Sequence, residues 1–202
     1  YWNMSHKLGI CIPYRNRKEH IDNLIPKLSK HLTNKGIEHT FYVGHQVDDK
    51  LFNRGAMKNI AAHYAFEDGC DYVFNVNLDD YYDITRFYKQ IELLSMNKYD
   101  LVSSDFCYIN ENNEVFKYLN ISRYNNNIEE QLNKNHNCIA HPSVCYTKKF
   151  WEKNKYDPTK IPAEDLWLWK ESCKNGFKFA IHPDVLLYYR IHKNNVSNRS
   201  ER

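Results

Sequence analysis

Two carboxylates stand side by side in the stretch Asn75-Val76-Asn77-Leu78-Asp79-Asp80. Ahead of them runs Cys70-Asp71-Tyr72-Val73-Phe74, which reads as a buried strand. Acids at the end of such a strand are costly unless they face a cation. In open α/β sheets the C-terminal ends of the strands are where ligands bind. Mg²⁺ and Mn²⁺ take oxygen ligands and commonly join one or two carboxylates to substrate phosphates. The stretch therefore points to a metal–diphosphate site. The competing reading is a solvated turn rich in Asn and Asp.

Two more clusters fall at successive strand ends. Pro13-Tyr14-Arg15-Asn16-Arg17 follows the run Leu8-Gly9-Ile10-Cys11-Ile12, and Phe52-Asn53-Arg54-Gly55 follows Thr40-Phe41-Tyr42-Val43. Guanidinium groups bind phosphate in a two-pronged fashion, and an aromatic ring can stack on a base. Either cluster alone could be a capped loop. Together with Asn77, Leu78, Asp79 and Asp80 they converge on one crevice, as a nucleoside-diphosphate site requires. Farther on, Glu164-Asp165 opens a helical stretch beside Trp167 and Trp169. Acids there could simply complement the helix dipole. They could also supply a general base, with the indoles packing on a sugar ring. His192, in Tyr189-Arg190-Ile191-His192, and His141, in His141-Pro142-Ser143, are open between ligand and packing roles.

Positioning these groups requires alternating strands and helices. Ile21, Leu24, Ile25, Leu28 and Leu32 mark one helical face; Ala56, Met57, Ile60, Ala61 and Tyr64 mark a second; Ile84, Phe87, Ile91 and Leu94 mark a third, started by Asp83 or Thr85. A fourth strand begins at Asp100-Leu101-Val102. This β-α-β-α-β-α-β order predicts an α/β fold with a mostly parallel central sheet flanked by helices. After Tyr108 a hairpin turn is expected at Glu111–Glu114. A loop with one helical turn follows over Tyr124–Asn137, then a strand over Cys138–Tyr146. A helix over Glu164–Asn175 and a last strand over Val185–Ile191 complete the reading. One domain spanning 1–202 is the simplest account, with a nucleotide and metal half near 7–108 and an acceptor half near 109–197.

The 202 residues are 42% hydrophobic and 26% charged, which fits a folded domain rather than a disordered chain. A formal charge of +3 gives no reason to expect a nucleic-acid partner or a polybasic membrane clamp. No apolar run is long enough to span a bilayer, and no signal peptide is visible. The compartment is left open, with a soluble cytoplasmic setting favoured. The chain starts at Tyr1 without Met and could be part of a larger multidomain protein. The 6 Cys show no C-x-x-C spacing and read as buried, reduced thiols. Sequons at Asn3, Asn120, Asn195 and Asn198 read as chance in an Asn-rich chain.

The order of these motifs resembles GT-A-fold glycosyltransferases. Pro13-Tyr14-Arg15-Asn16-Arg17 and Phe52-Asn53-Arg54 look like the P-F-R-N-R and F-N-R strand ends of the β-1,4-galactosyltransferase family. Glu164-Asp165-Leu166-Trp167 and the run from Tyr189 to Ser197 look more like family-2 inverting transferases. The resemblance implies a single Rossmann-like GT-A domain. It also implies a metal-dependent hexosyltransferase that takes a nucleotide-sugar donor, UDP-linked, and a glycan, glycoprotein or other hydroxyl acceptor. It implies that Pro13, Tyr14, Arg15, Arg17, Phe52, Asn53, Arg54, Asn77 and Leu78 hold the nucleotide. Asp79, Asp80 and His192 would hold Mn²⁺ or Mg²⁺. Asp165 would be the catalytic base and Glu164 an acceptor contact. Asn77 stands where the first acid of the family's D-x-D motif falls, and Ile161-Pro162-Ala163 replaces the family's W-G-G before the acid pair. The alternatives are a nucleotidyltransferase that makes nucleotide sugars, and a catalytically silent nucleotide- or sugar-binding module.

Overall fold

The computed structural model describes residues 6–192. Sequons at Asn3, Asn195 and Asn198, and the part of the family-2 resemblance beyond His192, lie outside them. The first half follows the expected alternation: β1 (Lys7–Tyr14), α1 (Lys18–Asn34), β2 (Glu38–His45), α2 (Arg54–Glu67), β3 (Tyr72–Asn75), β4 (Tyr81–Tyr82), α3 (Arg86–Ser95) and β5 (Leu101–Ile109). The second half holds β6 (Val115–Leu119), α4 (Ile128–Asn133), β7 (Cys145–Thr147), α5 (Lys148–Lys153), α6 (Glu164–Lys174) and β8 (Phe179–Arg190).

The α/β class with helices on both sheet faces stands. Leu28 and Leu32 of α1 pack with Phe87, Ile91 and Leu94 of α3 against Ile10, Ile12 and Phe74 on one face. Ala61, Ala62, Ala65 and Phe66 of α2 pack with Phe150 of α5 and Leu168 and Trp169 of α6 on the other. The sheet is mostly parallel, as expected, with short antiparallel strands added to it. Its order is β2-β1-β3-β7-β5-β8-β4, with β6 beside β5. Parallel pairing covers β1 with β2, β1 with β3, and β5 with β8. Strand β7 runs antiparallel to both β3 and β5, and β6 and β4 also pair antiparallel. Parallel neighbours need a crossover that returns the chain to the same end. Only the β1-α1-β2-α2-β3 segment repeats that unit. Strand β6 returns by hairpin, and β7 arrives after the long excursion through residues 120–144.

That excursion also corrects the strand expected over Cys138–Tyr146. A 3₁₀ turn, His141–Ser143, precedes a three-residue strand. Pro142 has no N–H to give a ladder. Ser143 instead bonds Ser103 Oγ at 2.8 Å and the Ala140 carbonyl at 2.8 Å. The hairpin expected at Glu111–Glu114 forms, with Asn113 at φ 68°. All six cysteines are free and five are buried, in keeping with small core residues.

Two glycines permit close approaches that shape the site. A Cβ on Gly44 of β2 would stand 2.3 Å from the Met57 carbonyl oxygen of α2. A Cβ on Gly55 would stand 2.9 Å from Tyr156 Cβ and 3.2 Å from Glu164 Cγ. The start of α2 is thereby pressed against the segment that carries the second acid pair.

Candidate active site

The ends of β1, β2 and β3 open onto a cleft of about 470 Å³. It is lined by Pro13, Arg15, Arg17, Phe52 and Arg54, by Asn77, Leu78, Asp79 and Asp80 after β3, and by Tyr189, Arg190 and His192 at the end of β8. Asn16 takes φ 53°, a left-handed conformation that Asn tolerates. The turn there lets both flanking arginines reach the cleft. Arg15 lies over the Phe52 ring at 5.3 Å and donates to the Lys50 carbonyl at 2.5 Å. Two residues expected to touch nucleotide also make contacts within the protein. Tyr14 packs edge-on against His45 at 4.7 Å. The Asn53 side chain caps α2 by accepting from Ala56 N at 2.9 Å and donates to the Pro158 carbonyl at 3.1 Å.

Asp79 and Asp80 face different neighbours. One Asp79 oxygen pairs with the Arg17 guanidinium. The other is 3.3 Å from His192 Nε2. Asp80 is buried, 5% exposed. It accepts from Arg190 N at 3.0 Å and from Asn77 Nδ2 at 3.2 Å. Burial, more than any neighbouring charge, pushes its pKa up to about 7. The Arg190 guanidinium reaches the Asp79 and Asn110 carbonyls at 2.9 and 2.6 Å.

A hard divalent ion fits the Asp79–His192 pair. Metal–ligand bonds of about 2 Å put neighbouring donors roughly 3 Å apart, close to the 3.3 Å observed. No third His, Cys, Asp or Glu converges with them among the described residues. Such an ion would complete its shell with donor phosphates and water, as Mg²⁺ commonly does. Asp80, expected as a third ligand, has one oxygen bonded to β8 through Arg190 N and the other to the Asn77 amide.

The second acid pair borders a neighbouring cavity of about 540 Å³, which shares Arg54, Pro162 and Tyr189 with the first. Asp165 lines it together with Phe106, Tyr108 and His141. Its oxygens accept from Asn137 Nδ2 at 3.0 Å and Leu166 N at 2.8 Å. Glu164 turns inward and is 2% exposed. Its Oε1 lies 3.4 Å from Arg54 Nη2, while Oε2 is buried with no partner. Burial raises its pKa, and Arg54 opposes that shift. Trp169 is fully buried in the core, and Trp167 stands outside with the Lys160 ammonium 4.4 Å above its ring.

Behind His141, which lines the second cavity, lies a polar cluster that sequence reading did not assemble. Lys58 is 1% exposed, with Nζ 3.1 Å from His141 Nε2. That same nitrogen is 2.8 Å from the Tyr156 hydroxyl, which accepts from Asn75 Nδ2 at 3.0 Å. Burial and the Arg54 charge hold Lys58 down to about 7. Burial holds His141 well below the usual histidine range, with Lys58 and Arg54 adding to it. Arg86 was missed in the same way. It is fully buried and stitches α3 to the Asn75 and Val144 carbonyls at 2.9 and 3.1 Å. The only sequence signal for either was a lone charge at a core-facing helical position.

Residues 2–102 match the family model for the N-terminal region of glycosyl transferase group 7. The chain belongs to that family. Its relatives include an uncharacterized glycosyltransferase of Methanocaldococcus jannaschii, 30% identical over 146 residues, covering 71% of this chain and 49% of that one. Another is the xylosylprotein 4-beta-galactosyltransferase of Caenorhabditis elegans, 35% identical over 74 residues, covering 37% and 26%. The chain thus spans about half the length of the first and about a quarter of the second. Among solved structures, the catalytic domain of Drosophila beta-1,4-galactosyltransferase 7 with xylobiose superposes with a TM-score of 0.63. Identity there is 16%, over 98% of this chain and 73% of that one. A mutant of the same enzyme holds manganese, UDP-Gal and xylobiose, with a TM-score of 0.58 at 14% identity over 96% and 73%. Staphylococcus aureus TarS with UDP-GlcNAc gives 0.63 at 12% identity over 95% and 61%. The fold of this glycosyltransferase-family chain is therefore GT-A. No helix among the described residues is long and apolar enough to cross a membrane.

Proposed function

We propose that this chain transfers a sugar from a UDP-sugar to an acceptor hydroxyl, inverting the anomeric carbon. The observation that carries this reading is the junction of two cavities through Arg54, Pro162 and Tyr189. One is lined by Arg15, Arg17, Arg54 and Arg190, with Phe52 and the Asp79–His192 pair; the other exposes Asp165. Relatives of the same fold, in complexes with UDP-sugars, manganese and xylobiose, support the assignment of donor, metal and hydroxyl acceptor.

In this reading Phe52 offers a face to the base, and Arg15, Arg17 and Arg54 neutralise the diphosphate. Asp79 and His192 would hold Mn²⁺ or Mg²⁺, which when bound supplies Lewis-acid neutralisation of the leaving group. Asp165 takes the proton from the acceptor hydroxyl. That oxygen forms the new bond to the anomeric carbon as the bond to the diphosphate oxygen breaks, and the electron pair departs on UDP. Attack from the side opposite UDP inverts the centre. The two-cavity layout suits this geometry because Asp165 lines one cavity, the arginines and Asp79 line the other, and Arg54 borders both. A panel of UDP-sugars with Mn²⁺, with and without xylobiose, tests it by UDP release. Release indistinguishable from heat-inactivated protein with each donor would refute the assignment.

A further inference from the structure

Building on the reading of Asp165 as proton acceptor, we propose that His141 is a positioning residue. It holds the Asp165 carboxylate through its Nδ1–H, while Tyr156 and Lys58 fix that tautomer from the other side of the ring. The hydrogen-bond inventory favours one tautomer. Tyr156 accepts from Asn75 Nδ2 at 3.0 Å, which leaves its own proton available to His141 Nε2 at 2.8 Å. Lys58 Nζ, at 3.1 Å, can donate to the same nitrogen whether it carries two protons or three. A neutral imidazole that accepts at Nε2 must carry its hydrogen on Nδ1. The ring is neutral because it is buried beside two cationic groups, Lys58 and Arg54.

Nδ1 faces Asp165 Oδ2 at 3.8 Å. This is longer than a hydrogen bond, but such contacts commonly tighten only when substrate is present. Asp165 is held on its remaining sides by Asn137 and Leu166 N. The other charged group in the cluster, Glu164, is engaged with Arg54. His141 is thus the one imidazole between the buried ammonium and the cavity carboxylate. It stays neutral throughout and passes no proton. Its task is to keep one carboxylate orientation facing the cavity.

Nitrogen-15 NMR of wild-type protein reads the tautomer directly. The proposal expects a protonated Nδ1 and an unprotonated Nε2, and the reverse overturns it. Variants read the consequence. His141→Gln removes the donor at the Nδ1 position, and His141→Asn places an amide N–H near it. Turnover should fall about 10- to 100-fold in His141→Gln, the usual effect of losing an outer hydrogen-bond partner. The KM for UDP-sugar should be unchanged, the acid limb of the kcat profile should move to higher pH, and His141→Asn should recover most of the loss. If His141→Gln does not fold, Tyr156→Phe, which keeps the ring, should give a smaller shift of the same sign. An unmoved acid limb in a folded variant overturns the positioning role. Asp165→Asn separates the two ideas. If that variant still turns over, the base assignment fails; if it is inactive while folded His141→Gln behaves as wild type, only the present inference fails.

Discussion

The two adjacent-acid pairs, Asp79-Asp80 and Glu164-Asp165, divide their labour in opposite order along the chain. In the first pair the leading residue faces the cleft and the following one is buried; in the second the leading residue is buried. The buried members have raised pKa values because they have left water. Each ties a segment in place: Asp80 anchors the end of β8, and Glu164 sets Arg54 between the cavities. The outward members keep an oxygen turned to a cavity or an imidazole. Adjacency in sequence therefore does not mean shared function. A strand end and a helix start project consecutive side chains in different directions, and burial decides which one is left facing a cavity.

The largest test of this division is Asp165→Asn. Turnover should drop about 10²- to 10⁴-fold, the usual contribution of a general base, while UDP affinity in the presence of Mn²⁺ holds. Glu164→Gln should instead act through Arg54, weakening UDP binding and lowering the melting temperature. Equal loss of turnover in both variants, at saturating donor and acceptor, would erase the distinction between outward and buried acids.

The first pair is tested by binding. Asp79→Asn should weaken Mn²⁺-dependent UDP binding about 100-fold, the upper range for altering a metal's ligand environment. Asp80→Asn should leave that affinity within a few-fold and show itself in stability. Calorimetry on both variants decides the matter, and a larger affinity loss in Asp80→Asn would reverse the roles assigned here.

Much of this was legible before any coordinates. The strand-end clusters around Arg15, Arg17, Phe52 and Arg54 could be placed because apolar runs stop just before them, and open α/β sheets gather ligands at that edge. The helical faces of α1, α2 and α3 followed from spacing. What could not be read was orientation. Tyr14 and Asn53 sit within the right motifs, yet one packs on His45 and the other caps α2. Asp79 and Asp80 could not be ranked, because the ranking depends on Arg190, 110 residues beyond Asp80. Lys58, His141 and Tyr156 come from three separate segments and meet only in the fold. The antiparallel β7 was hidden because a three-residue strand leaves almost no periodicity to detect.

The arginines sharpen the comparison further. Arg15→Ala should cost about tenfold in UDP affinity, corresponding to roughly 1.5 kcal/mol for a charge-assisted contact, with little change in melting temperature. Arg54→Ala should lose comparable affinity and also melt earlier, since it leaves Glu164 buried without a counter-charge. Matching melting temperatures for the two variants would show that Glu164 does not depend on Arg54.

A pH dependence of stability separates the two buried groups Lys58 and Asp80. Lys58 is held to about 7 in the folded chain against an ordinary 10.5, chiefly by burial. Between those values the unfolded chain binds the extra proton, so stability rises with pH through that window. Asp80 behaves oppositely. Its folded value of about 7 exceeds the ordinary 3.8, so the folded chain binds the extra proton between them and stability falls as pH rises toward 7. The joint contribution of these two groups is therefore lowest near neutrality, with limbs of at most about 1.4 kcal/mol per pH unit. Denaturant midpoints measured from pH 5 to 9 should show Lys58→Met flattening the upper limb alone and Asp80→Asn the lower limb alone. An upper limb that persists in Lys58→Met would mean that the buried lysine stays charged when folded. The ammonium would then have no lone pair and could only donate to His141 Nε2, so the tautomer proposed for His141 would stand.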